Sequence, residues 1–92
     1  MSKQVLKWNV PVDDRPHRIG AGEVVHVGCQ FGPESVQVWT EESALTRGSE
    51  RRVRVFGTGQ KVPFDALHLG STVTSNGAIV WHLFDVPFEV TP

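Results

Sequence analysis

The chain has 92 residues, a formal net charge of −1 and a single cysteine, Cys29. That size leaves only a thin core, and the near-zero charge excludes a global field that would draw nucleic acid or acidic membranes. One cysteine excludes an internal disulfide framework and a thiolate zinc cluster. No stretch, including the opening MSKQVLKWNV, has an apolar run of signal-peptide or membrane-spanning length, so a soluble protein of a reducing cytoplasm is expected.

Nine glycines and six prolines punctuate short valine-rich runs, a pattern of strands rather than helices. In chain order the strands are expected at Val5–Val10, Val24–Cys29, Val36–Thr40, Arg52–Phe56, Leu67–Thr74 and Ala78–Asp85, with a short edge around Phe88–Val90. Residues 13–22 (DDRPHRIGAG) and 42–50 (ESALTRGSE) read as loops. The fold class is therefore all-β: a small antiparallel sandwich or open barrel of about six or seven strands, forming one domain over residues 1–92.

Two turns set expected registers. Asn76-Gly77 suits a two-residue type I′ hairpin, which pairs Val73 with Val80, Thr72 with Trp81, Ser71 with His82, Gly70 with Leu83, Leu69 with Phe84 and His68 with Asp85. The side bearing Leu69, Val73, Val80 and Phe84 reads as the core side, with Ser71 and His82 between them. Ile79, Trp81 and Leu83 then lie outside. A turn at Gly32–Ser35, with Pro33 second, pairs Cys29 with Val38, Gly28 with Trp39, Val27 with Thr40 and His26 with Glu41. There Val25, Val27, Cys29, Phe31, Val36 and Val38 form the apolar side, and Trp39, His26 and Glu41 the other.

Several residues invite a functional reading, and each has a plainer one. Trp39 and Trp81 on outer faces can stack a base, a sugar or a partner protein, or can simply shield strand glycines. His26/Glu41 and His68/Asp85 read as oriented general bases or as surface ion pairs, with no nucleophile at readable spacing. His82 reads most simply as a satisfied core histidine, and no metal-ligand spacing is present. Arg52 and Arg54 share one strand face, with Val53 and Val55 on the other, and Gly57-Thr58-Gly59 follows. Such a turn can aim N–H groups and a hydroxyl at an anion, and arginine forks suit phosphate; the alternative is a strand-ending turn beside solvated arginines. With Arg47 and Arg51 these arginines make the one basic patch of the chain.

KWNVPV (7–12), VFGTGQKVP (55–63) and HLGSTVTSNGAIVWHLFDV (68–86) together resemble a group of short phage-encoded proteins with the pattern W-x-x-P, G-T-G-x-x-x-P and G-x-x-x-x-H-x-F. The resemblance spans nearly the whole chain and assigns no activity and no catalytic residue. It implies a phage origin and an accessory role in the cytoplasm of the infected host cell. Gln60 stands where a histidine usually follows the "GTG", so no role of that histidine carries over.

The first expectation is a non-enzymatic phage accessory protein that binds a host component, either a host protein or a small anionic, nucleotide-like defence signal. Trp39, Arg52, Arg54, Gly57, Thr58, Gly59, His68 and Trp81 are its expected contact residues. The alternatives are a virion component such as a small capsid-decorating protein, and a small hydrolase using a histidine–acid pair. No cofactor, no metal, no membrane and no general nucleic-acid binding are expected. A homo-oligomer is expected, through the face of Ile79, Trp81 and Leu83, because a strand apolar on both sides needs a cover that so short a chain cannot supply.

Overall fold

Alternating side chains build seven strands in the computed structural model, which describes residues 2–87. They are β1 (Gln4–Pro11), β2 (His17–Gly20), β3 (Val24–Gly28), β4 (Ser35–Glu42), β5 (Glu50–Gly57), β6 (Leu67–Val73) and β7 (Val80–Asp85). A three-stranded sheet has the order β1-β4-β3 and a four-stranded sheet the order β2-β5-β7-β6, with every pairing antiparallel. The two sheets make an open sandwich without barrel closure. No helix occurs among the described residues, so none is long and apolar enough to cross a membrane. The strand expected around Phe88–Val90 lies outside the described residues. β2 falls within the loop expected at residues 13–22, because four residues after Pro16 with Ile19 as the one large apolar side chain give no alternation to count.

The core lies between the sheets. Val10, Ile19, Val36, Val38, Val53, Val55 and Leu83 are fully buried there, with Trp8, Val27, Leu69 and Trp81 packed around them. Each fully buried side chain of this kind contributes about 1.5–3 kcal/mol. The Trp8 indole enters the interior because its Nε1 donates to Thr40 Oγ1 at 2.8 Å, so its polar atom is satisfied where water is excluded.

The expected sidedness of the last strand is inverted. Leu83 is fully buried and Trp81 packs on the core, whereas Val73 is 52% exposed and His82 and Phe84 are half-buried on the outer face. Trp81 is held there by an Nε1–H bond to Pro33 O at 3.0 Å, and it fits because Gly57 opposite it has no Cβ. On the face expected to make a dimer contact, Leu83 is thus buried and Trp81 partly buried against the core, while Ile79 stays exposed. The other side of the strand is covered partly by the chain itself. Phe56, on the outer face of β5, is fully buried beneath Phe84 and Arg54.

Both hairpin registers need correction. The β6–β7 pairs hold from Val73/Val80 to Gly70/Leu83, but a bulge between His68 and Gly70 then brings His68 opposite Phe84 and Leu67 opposite Asp85. The turn is also not type I′, because Asn76 has no positive φ. Gly77 alone is left-handed (φ +74°), and its N–H donates to Thr74 O at 2.8 Å. In the β3–β4 hairpin the pairs are His26/Trp39, Val27/Val38 and Gly28/Gln37, a shift of two residues from expectation. A shift of two keeps the face parity. Trp39 and His26 therefore still point outward, while a bulge leaves Val25 exposed and Phe31 lies exposed in the loop.

Candidate functional site

Strand alternation sends Val53 and Val55 into the core and Arg52 and Arg54 onto the outer face of the four-stranded sheet, as expected from the sequence. Across the sheet Arg54 stands opposite Phe84, which stands opposite His68. In the neighbouring row Phe56 stands opposite His82, which stands opposite Ser71. Arg52, Arg54, Thr58 and His68 thus come together on one surface.

The Arg54 guanidinium lies over the Phe56 ring, 4.4 Å from its centroid, a cation–π arrangement. Its Nε is buried without a hydrogen-bond partner. Beside it Asp14, Pro16, Pro63, Val86 and Pro87 complete a cavity of about 150 Å³. Arg51, grouped with these arginines in the sequence, serves the fold instead. Its guanidinium donates to Ala21 O and Gly22 O at 2.7 and 3.1 Å and lies 3.7 Å from Asp85. Arg47 is exposed in the β4–β5 loop.

In the Gly57-Thr58-Gly59 turn the Gly57 amide is engaged within the turn itself. Gln60 Oε1 accepts the Gly57 N–H at 3.0 Å, and the Gln60 N–H returns to Gly57 O at 3.1 Å, with Gly59 left-handed at φ +89°. The Thr58 hydroxyl bonds His82 Nε2 at 2.9 Å. His82 Nδ1 lies 2.7 Å from Ser71 Oγ, which lies 2.8 Å from His68 Nε2. Four side chains from β5's terminal turn, β7 and β6 form one hydrogen-bonded chain.

This chain exists because of the bulge. In a regular strand His68 and Ser71, three residues apart, face opposite sides; the extra residue turns both outward. Ser71 and His82 pair as expected, but on the outer face rather than the core face, because a strand apolar on both sides gives alternation no choice between them. Neither expected histidine–acid pair forms. His68 is drawn to Ser71, while Asp85 approaches Arg51. His26 packs on Trp39 with ring centroids 5.1 Å apart, while Glu41 meets Lys3 at 3.6 Å.

The remaining sequence candidates lie elsewhere. Trp39 is half-buried on the outer face of the three-stranded sheet, with the Lys7 ammonium 5.7 Å from its ring. Trp81 is half-buried and packs against the core. Cys29 is half-buried and its thiol donates to Gly32 O at 3.1 Å. On the β1–β2 loop the His17 ring, 2.8 Å from Asp13 Oδ1, and the Arg15 N–H hold the Asp13 carboxyl below its ordinary pKa. Among the described residues no three of His, Cys, Asp and Glu gather as a metal site.

No curated protein and no solved structure matches the chain. A family profile matches residues 1–91, and the chain belongs to that family, described as "Domain of unknown function (DUF7352)".

Proposed function

We propose that the protein is a phage-encoded accessory protein that works in the cytoplasm of the infected cell by binding a host component. The outer face of the four-stranded sheet is its contact surface, and Arg54 takes an anionic group, phosphate or carboxylate, of the partner. The observation that carries this reading is the Arg54 guanidinium, pre-positioned on the Phe56 ring with a buried Nε that lacks a hydrogen-bond partner. An unsatisfied buried donor is costly, and a bidentate anion satisfies it with charge-assisted bonds. The cavity beside it has room for a group of that size, and Asp14 on its wall favours a partner that also brings a donor. Self-association remains part of the proposal, with the contact moved away from Trp81 and Leu83.

Affinity capture from host lysate tests it with three forms: wild type, an Arg52→Ala/Arg54→Ala double variant, and Trp39→Ala. The double variant is expected to lose about 2–5 kcal/mol of partner affinity with an unchanged fold, while Trp39→Ala captures normally. Capture that survives the double variant and fails with Trp39→Ala would move the site to the three-stranded sheet.

A further inference from the structure

The hydrogen-bonded chain on β6 and β7 is not needed for the binding just described, and it has the arrangement of an activated nucleophile. We propose that Ser71 is a reactive serine, with His82 as its general base and Thr58 as the group that positions His82, and that it accepts an acyl or phosphonyl group from electrophilic esters. The geometry carries each role. Ser71 Oγ lies 2.7 Å from His82 Nδ1, within the reach a base needs, and the Thr58 hydroxyl fixes the opposite ring nitrogen at 2.9 Å. A neutral imidazole that accepts the Ser71 proton at Nδ1 must carry its own proton at Nε2, and Thr58 Oγ1 is the acceptor that selects that tautomer. His68 Nε2, 2.8 Å from Ser71 Oγ, stands on the other side of the hydroxyl, where it can donate to the leaving group once protonated.

The sequence supports this assembly from three separated stretches. Gly59 and the Gln60 side chain shape the turn that presents Thr58. The bulge beside Gly70 re-aims Ser71 and His68 to one side. The strand VWHLF delivers His82 between them. Ser71 is exposed, so an incoming ester meets it without any opening of the fold.

In the step itself, Ser71 Oγ forms a bond to the electrophilic carbon or phosphorus, the ester's leaving group departs with its electron pair, and the serine proton passes to His82 Nδ1. Other groups that bear on His82 are few. They are His68, with ring centroids 6.3 Å away, and Arg54, in the next row of the sheet.

A fluorophosphonate probe tests the proposal directly, because phosphonylation releases fluoride and leaves a stable adduct that intact-protein and peptide mass spectrometry locate. One adduct at Ser71 is expected, absent in Ser71→Ala. The labelling rate should fall about 100-fold in His82→Gln. In wild type it should rise with pH as the base loses its proton, a dependence that vanishes in His82→Gln. Thr58→Val should lower the rate at every pH without abolishing the adduct, and Thr58→Ser should restore it, which a merely structural role does not predict. Circular dichroism and thermal melts confirm that each variant is folded. Labelling of Ser71 no faster than that of Ser49 or Ser75, or a rate indifferent to His82→Gln, would overturn the proposal. Lys7→Ala, on the three-stranded sheet, should leave labelling unchanged, and Ser71→Ala should still capture the partner, so failure of the binding reading and failure of this one are read separately.

Discussion

Gly70 sits on edge strand β6 directly under Val27 of β3, where the two sheets approach each other. A Cβ built on Gly70 would lie 2.6 Å from Val27 Cγ2 and 3.2 Å from Val27 Cβ. Ordinary carbon–carbon contacts are about 3.5–4.0 Å, so Gly70→Ala forces roughly 1 Å of separation. Val27 cannot swing aside freely, because its branched Cβ strongly restricts χ1 and an off-rotamer displacement costs about 0.5–1.5 kcal/mol. Moving β3 instead loosens Val27 and Leu69 from the core they pack against. Together these give an expected loss of about 1–3 kcal/mol, the usual range for overpacking. Urea unfolding followed by tryptophan fluorescence reads it as a lowered midpoint at constant slope. Val27→Ala in the same chain removes the colliding methyls, so the double variant should be more stable than the sum of the two single losses by about 1 kcal/mol or more. An unchanged midpoint in Gly70→Ala, or simple additivity with Val27→Ala, would refute the packing described for this edge.

Gly77→Val should destabilise the protein by about 1–3 kcal/mol in the same assay, since the left-handed φ of +74° strains a β-branched residue although nothing crowds the site. Trp81→Ala should cost about 3 kcal/mol of stability while leaving the mass measured by light scattering unchanged, because the indole packs against the core of the sandwich. Asp13 has a lowered pKa, chiefly through His17 and then through the Arg15 N–H. Its contribution to stability is therefore complete above the unfolded-state value of about 3.9 and is lost as pH falls through the lower folded value. The midpoints of wild type and Asp13→Asn should differ at pH 5 and converge in acid.

Where one side of a strand is apolar and the other charged, the sequence alone reads the sheet correctly. Val53 and Val55 against Arg52 and Arg54 leave a single choice, and the structure takes it. The stretch AIVWHLF is apolar on both sides, so alternation cannot choose between them. The decision rests on partners distant in sequence: Pro33 O for the Trp81 N–H, and Gly57 for the space its ring needs. Asn76-Gly77 located the hairpin and the register beside it, yet the bulge two pairs from the far end moved His68 away from Asp85 and toward Ser71. A bulge adds one residue without a signature in composition, and here it creates the chain of hydroxyls and imidazoles. The arginine half of the surface was legible because it follows from period-two alternation. The serine–histidine half was legible only as a cross-strand pair, with its face and its outer partners hidden.

A titration of the isotope-labelled protein with inorganic phosphate, followed by amide and arginine side-chain NMR, most directly tests whether the outer face of the four-stranded sheet is the working surface. Saturable shifts are expected at the Arg54 Nε–H and at the amides of Phe56 and Phe84, with Trp39 and Lys7 unmoved. Saturable shifts confined to Trp39, Lys7 and their neighbours on the three-stranded sheet, with the Arg54 Nε–H unchanged, would contradict that assignment.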